Sequence, residues 1–195
     1  NLISGSPANA ASALVQGGTI AVAGYNAIDC FDPITQTQSR ACYNRVTESF
    51  TTISGGLINL NSGFAGVISG GYLNTVSGTL GTVAGGQLNS AAGLSSVIGG
   101  GAENSVGGAA DYSVVAGGLT NTASGMFSVV AGGELNVASG NYSWAGGRRA
   151  MTQTGDVVPV AHNGSFVWAD STAAEFRSSG HNQFVVRAGG GAGFN

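Results

Sequence analysis

The chain has no lysine. Its six bases are all arginines, they face nine acids, and only 8% of its 195 residues are charged, for a formal net charge of -3. A basic surface for nucleic acid is excluded on that balance. No run of about 18 apolar residues occurs, which excludes a membrane-spanning helix, and no basic-then-apolar leader opens the sequence. The chain is therefore expected to be soluble, with any targeting signal removed. Cysteine is scarce too. Cys30 and Cys42 are too few for a structural zinc site. They lie twelve positions apart in a polar segment, close enough to bridge, and the alternatives are a disulfide or two free thiols. A bridge would contribute roughly 3 kcal/mol through loop closure and would persist only in an oxidising compartment, which would imply secretion.

Glycine is abundant, with 35 residues, and 43% of the chain is hydrophobic, much of it Ala and Val. Low charge with that apolar content describes a chain that folds. The glycines mark a repeat over residues 50–147. Gly-Gly pairs follow Ile53-Ser54, Ile68-Ser69, Val83-Ala84, Ile98-Gly99, Val115-Ala116, Val130-Ala131 and Trp144-Ala145, with the glycine run at 99–101 one residue longer. Three residues after each of the first six pairs stands an asparagine: Asn59, Asn74, Asn89, Asn104, Asn121 and Asn136. The spacing is fifteen, with one interval of seventeen whose extra residues fall in 107–113 as an expected surface bulge. A second glycine follows four residues later, from Gly63 to Gly140, so each unit has two turn signals. Between them lie runs of about five residues with β-branched character, which is strand length. One repeat therefore predicts one coil of two short strands, and coils stacked at about 4.8 Å pair in parallel into a stem roughly 30 to 35 Å long. The fold class is all-β, a parallel β-roll or solenoid of about 15-residue coils.

Ile53, Ile68, Val83, Ile98, Val115 and Val130 form one apolar ladder. Thr52, Val67, Thr82, Val97, Val114 and Val129 form the adjacent column on the opposite face of the strand. A thin coil is expected to fill its interior with small groups (Ala84, Ala91, Ala116, Ala123, Ala131, Ala138) and to leave an Ile/Val stripe that a second copy must cover, since burial is favourable by about 25 cal/mol per Å². A homo-oligomer follows. The asparagine column reads as a turn ladder, because Asn tolerates left-handed backbone and bonds its own turn.

The units Ser113–Gly125 (SVVAGGLTNTASG) and Ser128–Gly140 (SVVAGGELNVASG) resemble the YadA-like head repeats of bacterial trimeric autotransporter adhesins. That resemblance covers about half the chain. Gly164–Asp170 and Asn182–Ala188 also look like segments that follow such repeats in bacterial surface and tail-fibre proteins. The resemblance implies a left-handed roll assembled as a trimer and an exposed surface that binds a host or environmental surface, with an unknown ligand. No catalytic residue, metal or cofactor comes with it.

Four regions are expected: degenerate coils over 1–20, a non-repeat insertion over 21–49 containing the cysteines and suited to recognition, the roll over 50–147, and a cap or neck over 148–195. His162 and His181 with Asp156 or Asp170 and nearby serines could compose a hydrolytic triad, but two histidines among many serines make such sets by chance. The glycine clusters at 99–101 and 189–193 lack the following Lys and helix of a phosphate cradle. Thr75 and Thr122 share a column with Leu60, Ser90, Ser105 and Val137, too irregular for an ice-binding array. The expected role is non-enzymatic: a structural or adhesive module of an extracellular or cell-surface bacterial fibre. The alternative is a subunit of an extracellular filament with a mechanical role.

Overall fold

The computed structural model describes residues 16–17 and 44–191, together with the backbone of five two-residue strands ahead of residue 44. Two parallel sheets make up the fold. Sheet 1 has 11 strands, running from Leu2–Ile3 and Thr19–Ile20 through Thr52–Ile53 to Phe184–Arg187, and sheet 2 has 10, running from Ala10–Ala11 and Arg45–Val46 to Phe176–Arg177. The chain alternates between them, so each coil adds one strand to each sheet and one turn at each edge. Strands from neighbouring coils pair in register, Thr82 with Val67 and Val97, Thr75 with Leu60 and Ser90. At the edge marked by the Gly-Gly pairs the amide of Gln87 donates to Gly101 at 2.9 Å, so the backbone ladder continues through the turn. The opposite edge, where the chain passes from sheet 2 back to sheet 1, is the return edge.

From Thr52–Ile53 to Thr122–Ala123 the strands are two residues long, shorter than the sequence suggests, and only later in the repeats do they lengthen, first at Val129–Glu134. The cause is the backbone on either side. In the repeats each coil places one non-glycine residue in the left-handed region at each edge, two positions ahead of an outward strand residue; Leu80 (φ 57°) precedes Thr82 and Leu88 (φ 56°) precedes Ser90. Among the described residues fifteen non-glycine residues adopt this conformation, many of them bulky. It costs an L-residue about 1–2 kcal/mol, and the fold holds it by fixing the amide: Leu80 N–H donates to Phe64 at 2.8 Å and Leu88 N–H to Tyr72 at 2.9 Å, both in the coil before. The asparagines do not take this role. The left-handed residue is the one before each of them (Ile58, Leu73, Leu88, Glu103, Thr120, Leu135), which frees the asparagine side chain to turn inward.

Alternation then settles the interior. Ile53, Ile68, Val83, Ile98, Val115 and Val130 of sheet 1 are fully buried, in one core with Val46, Val76, Ala91, Val106, Ala123 and Ala138 of sheet 2. Large residues face smaller ones across a thin layer. Of the six alanines expected inside, Ala91, Ala123 and Ala138 are there, whereas Ala84, Ala116 and Ala131 are exposed. Each of these last three follows a buried ladder residue and so points the other way. The Ile/Val ladder is hidden within a single chain, and the column left outside is Thr52, Val67, Thr82, Val97, Val114 and Val129.

Three irregularities are absorbed at the edges. Between Ile20 and Arg45, Phe31–Asp32 and Thr37–Gln38 pair antiparallel, and the coils on either side are in register, with Ala10 opposite Arg45 and Thr19 opposite Thr52. Cys30 and Cys42 lie outside the described residues. In the seventeen-residue interval Ala110 tucks into the core and the Asp111 carboxylate accepts the Leu94 amide at 2.9 Å. Beyond Gly147 the ladders continue: Ala150–Met151, Phe166–Ala169, Phe176–Arg177 and Phe184–Arg187 join the same sheets. The interval between paired residues grows there to 22 from Trp144 to Phe166 and 18 from Phe166 to Phe184.

Candidate interaction surface

The sequence-predicted residues fall into two groups, one internal and one facing solvent. The asparagine column is internal and fully buried. The amide N–H of Asn89 donates to Asn74 Oδ1 at 3.0 Å, and that of Asn104 to Asn89 Oδ1 at 3.0 Å. Each Nδ2 donates to a glycine carbonyl of its own turn and to one in the next coil; for Asn89 these are Gly85 and Gly101, both at 3.0 Å. Every member thus bonds three successive coils. Asn44 is an earlier member, accepting the Asn59 amide through Oδ1 at 2.9 Å; it sits fifteen residues before Asn59, a signal the sequence held and the Gly-Gly alignment passed over. The ladder ends where the amide of Ala150 donates to Asn136 Oδ1. The adjacent glycines are fixed by space: a Cβ on Gly86 (φ 89°) would lie 2.1 Å from the Gly101 carbonyl oxygen.

The solvent-facing group lies on the outer face of sheet 1 and along the return edge. The outer column passes from Thr and Val into Trp144, Phe166 and Phe184, whose rings stack at 4.1 and 4.8 Å between centroids. Beside it, the left-handed positions of the return edge hold Tyr112, Phe127 and Tyr142, stacked at 5.1 Å and within 7° of parallel. Parallel stacking follows from the coil repeat, because equivalent positions superpose at the strand spacing. It buries ring faces against each other and shows their edges to solvent. Among the described residues fourteen large hydrophobic side chains are exposed. Ten of them lie on the return edge or the 153–161 hairpin that leaves it, three on the outer face of sheet 1, and Leu119 alone on the Gly-Gly edge. Tyr142 is 68% exposed and Phe184 65%.

Polar groups gather around the last coils. The Asp170 carboxylate accepts from the amides of Gly189 (2.8 Å) and Thr172 (3.1 Å) and from Arg187 Nε (2.9 Å). The Gly189 amide first, with Thr172 and Arg187, holds this carboxyl well below the usual carboxylate range. Arg187 also donates to the carbonyls of Ala174 and Thr172 and lies 5.3 Å from the Phe176 ring centre, so one side chain ties the 170–176 turn to the final strand. Arg148 Nε pairs with Glu134 at 2.8 Å. Between these, Gly147, Arg148, Trp168, Ala169, Asp170 and Ser171 line an open hollow of about 390 Å³.

The histidines are not assembled with an acid. The buried His162 Nδ1 lies 2.7 Å from Ser178 Oγ, His181 Nδ1 accepts the Asn163 amide, and among the described residues no ion pair joins either ring to a carboxylate. No helix of the described residues is long and apolar enough to cross a membrane. No protein-family model and no curated protein matches the chain, and the surface of the solenoid is what its function is read from.

Proposed function

We propose that the chain is a self-associating structural module of an extracellular bacterial fibre, an adhesive head or a tail-fibre shaft, in which copies cover one another's sheet 1 face and return edge. The role is mechanical and adhesive rather than catalytic. A parallel solenoid suits it, since each coil braces its neighbours and length grows without new folding problems. The observation that supports self-association is the placement of the exposed hydrophobic side chains, collected on one face and its adjoining edge and nearly absent from the other edge. Contiguous apolar surface of this kind marks an interface. Nine outer rungs, from Thr52 to Phe184, span about 40 Å at the strand spacing, and with the return edge they approach the roughly 800 Å² per partner of a stable interface. The resemblance to YadA-like head repeats makes three the copy number, and the surface turned outward from such a trimer would meet the ligand. Light scattering coupled to size exclusion is expected to give three chain masses. A single-chain mass at micromolar concentration would refute the proposal.

A filament subunit is the second reading, supported by a solenoid in which every coil pairs in parallel with the one before it. Electron micrographs showing open-ended threads in place of short rods would favour it.

A further inference from the structure

The coils between Trp144 and Phe184 carry a projection and a hollow at the same height of the solenoid. The projection is the hairpin 153–161. Its stem is braced by the antiparallel bridge of Gln153 with Ala161, by the Thr154 amide donating to the Val160 carbonyl at 3.0 Å, and by the Val160 amide donating to Thr154 Oγ1 at 3.0 Å. Its tip is aliphatic and in solvent, with Val157 102% and Val158 79% exposed, beside Pro159 and Val160. A turn held this firmly has prepaid the ordering cost of binding, and its apolar tip gains by being covered.

The hollow is the 390 Å³ space beside the Trp168 indole, with Gly147 and Ala169 among its lining. Its charged rim is already satisfied: Arg148 by Glu134, Asp170 by Gly189, Thr172 and Arg187. Such a site suits an apolar occupant better than an ion. The hairpin leaves between Met151 and Phe166, on the return edge, whereas the hollow lies at the ends of the sheet 1 strands, on the Gly-Gly edge. Sheet 1 separates them within one chain. In a ring of parallel solenoids with sheet 1 facing the axis, however, the return edge of each copy meets the Gly-Gly edge of the next without change of height, which is how a heterologous contact closes.

We infer that the Val157–Val160 tip of one copy seats in the Trp168 hollow of the next, clasping the ring at its C-terminal coils. The inference rests on the oligomer proposed above and specifies how its copies are joined. The test places a benzophenone side chain at position 157, where full exposure makes the substitution harmless to folding, and irradiates the assembled protein. The expected product is a covalent chain dimer whose fragment-ion map places the link at residues 147–148 or 168–171 of the second chain. Separately, Val158→Asp and Trp168→Ala should each raise the concentration of half-dissociation about tenfold or more while leaving the far-ultraviolet spectrum unchanged. A multichain mass with links elsewhere, with no links, or with dissociation unmoved by both substitutions overturns the clasp and leaves the oligomer standing. A single-chain mass removes both.

Discussion

Replacing Asn89 by Ala tests whether the buried asparagine column holds the coils together. The side chain is fully enclosed, its Oδ1 accepts the Asn104 amide at 3.0 Å, and its Nδ2 donates to the Gly85 and Gly101 carbonyls at 3.0 Å. Gly101 keeps a second donor in the Gln87 amide, so its loss is small. The Asn104 N–H has no such reserve and is left buried without an acceptor, which costs about 1–3 kcal/mol. The Gly85 carbonyl loses its side-chain donor, and a small void opens, bringing the total to about 2–4 kcal/mol. For a chain of this size each kcal/mol moves the melting temperature by about 2–4 °C, so a fall of about 5–15 °C is expected. The assay is thermal unfolding followed by circular dichroism in the β region, at one fixed protein concentration because association would itself shift the midpoint. Gln87→Ala, two residues away on the exposed turn, is the control and should change stability by no more than about 0.5 kcal/mol. A melting temperature for Asn89→Ala within a degree or two of that control would refute the reasoning.

Gly86→Ala is expected to prevent folding or to destabilise the protein by more than any exposed substitution, because its Cβ would sit 2.1 Å from the Gly101 oxygen; soluble yield and melting temperature report it. At Leu80, exposed and left-handed at φ 57°, replacement by Gly should leave stability unchanged or raise it by up to about 1 kcal/mol, while the β-branched Val should lower it. For Asp170 the sign follows from its depressed carboxyl. The stabilisation is present above the ordinary unfolded value near pH 4 and is lost as pH falls below it toward the lower folded value, so acid should loosen the last coils first. Asp170→Asn should be the less stable protein at pH 7 and should lose less on acidification, as read from hydrogen exchange at Phe184–Arg187.

The period of the coil, its two turns and the positions of its strands were legible in residues 50–147, because an identical unit meeting its own copy must repeat both its glycines and its apolar residues. The last coils were harder to read: the Trp144 to Phe166 interval hides a coil behind the 153–161 hairpin, and the paired residues share no Gly-Gly mark beyond Gly147. The left-handed residues were invisible for a different reason. Phe, Leu and Tyr are poor candidates for that backbone, and only the carbonyl of the coil before, fixed in space, makes them adopt it.

By itself the sequence determined that the chain stacks as a parallel solenoid, since fifteen-residue self-similarity with two turns per unit leaves the backbone no other partner than the next coil. It did not determine which side of each strand is the inside. Val67, Val97, Val114 and Val129 are nearly as apolar as Ile68, Ile98, Val115 and Val130, and a period of two assigns the columns to opposite faces without choosing between them. The tertiary structure chose: Asn59 to Asn136 turn into the coil, where their amides are satisfied, alternation from them sends Val76 and Val106 of sheet 2 inward, and Ile53 to Val130 of sheet 1 close the same core while the Thr, Val and aromatic column faces outward.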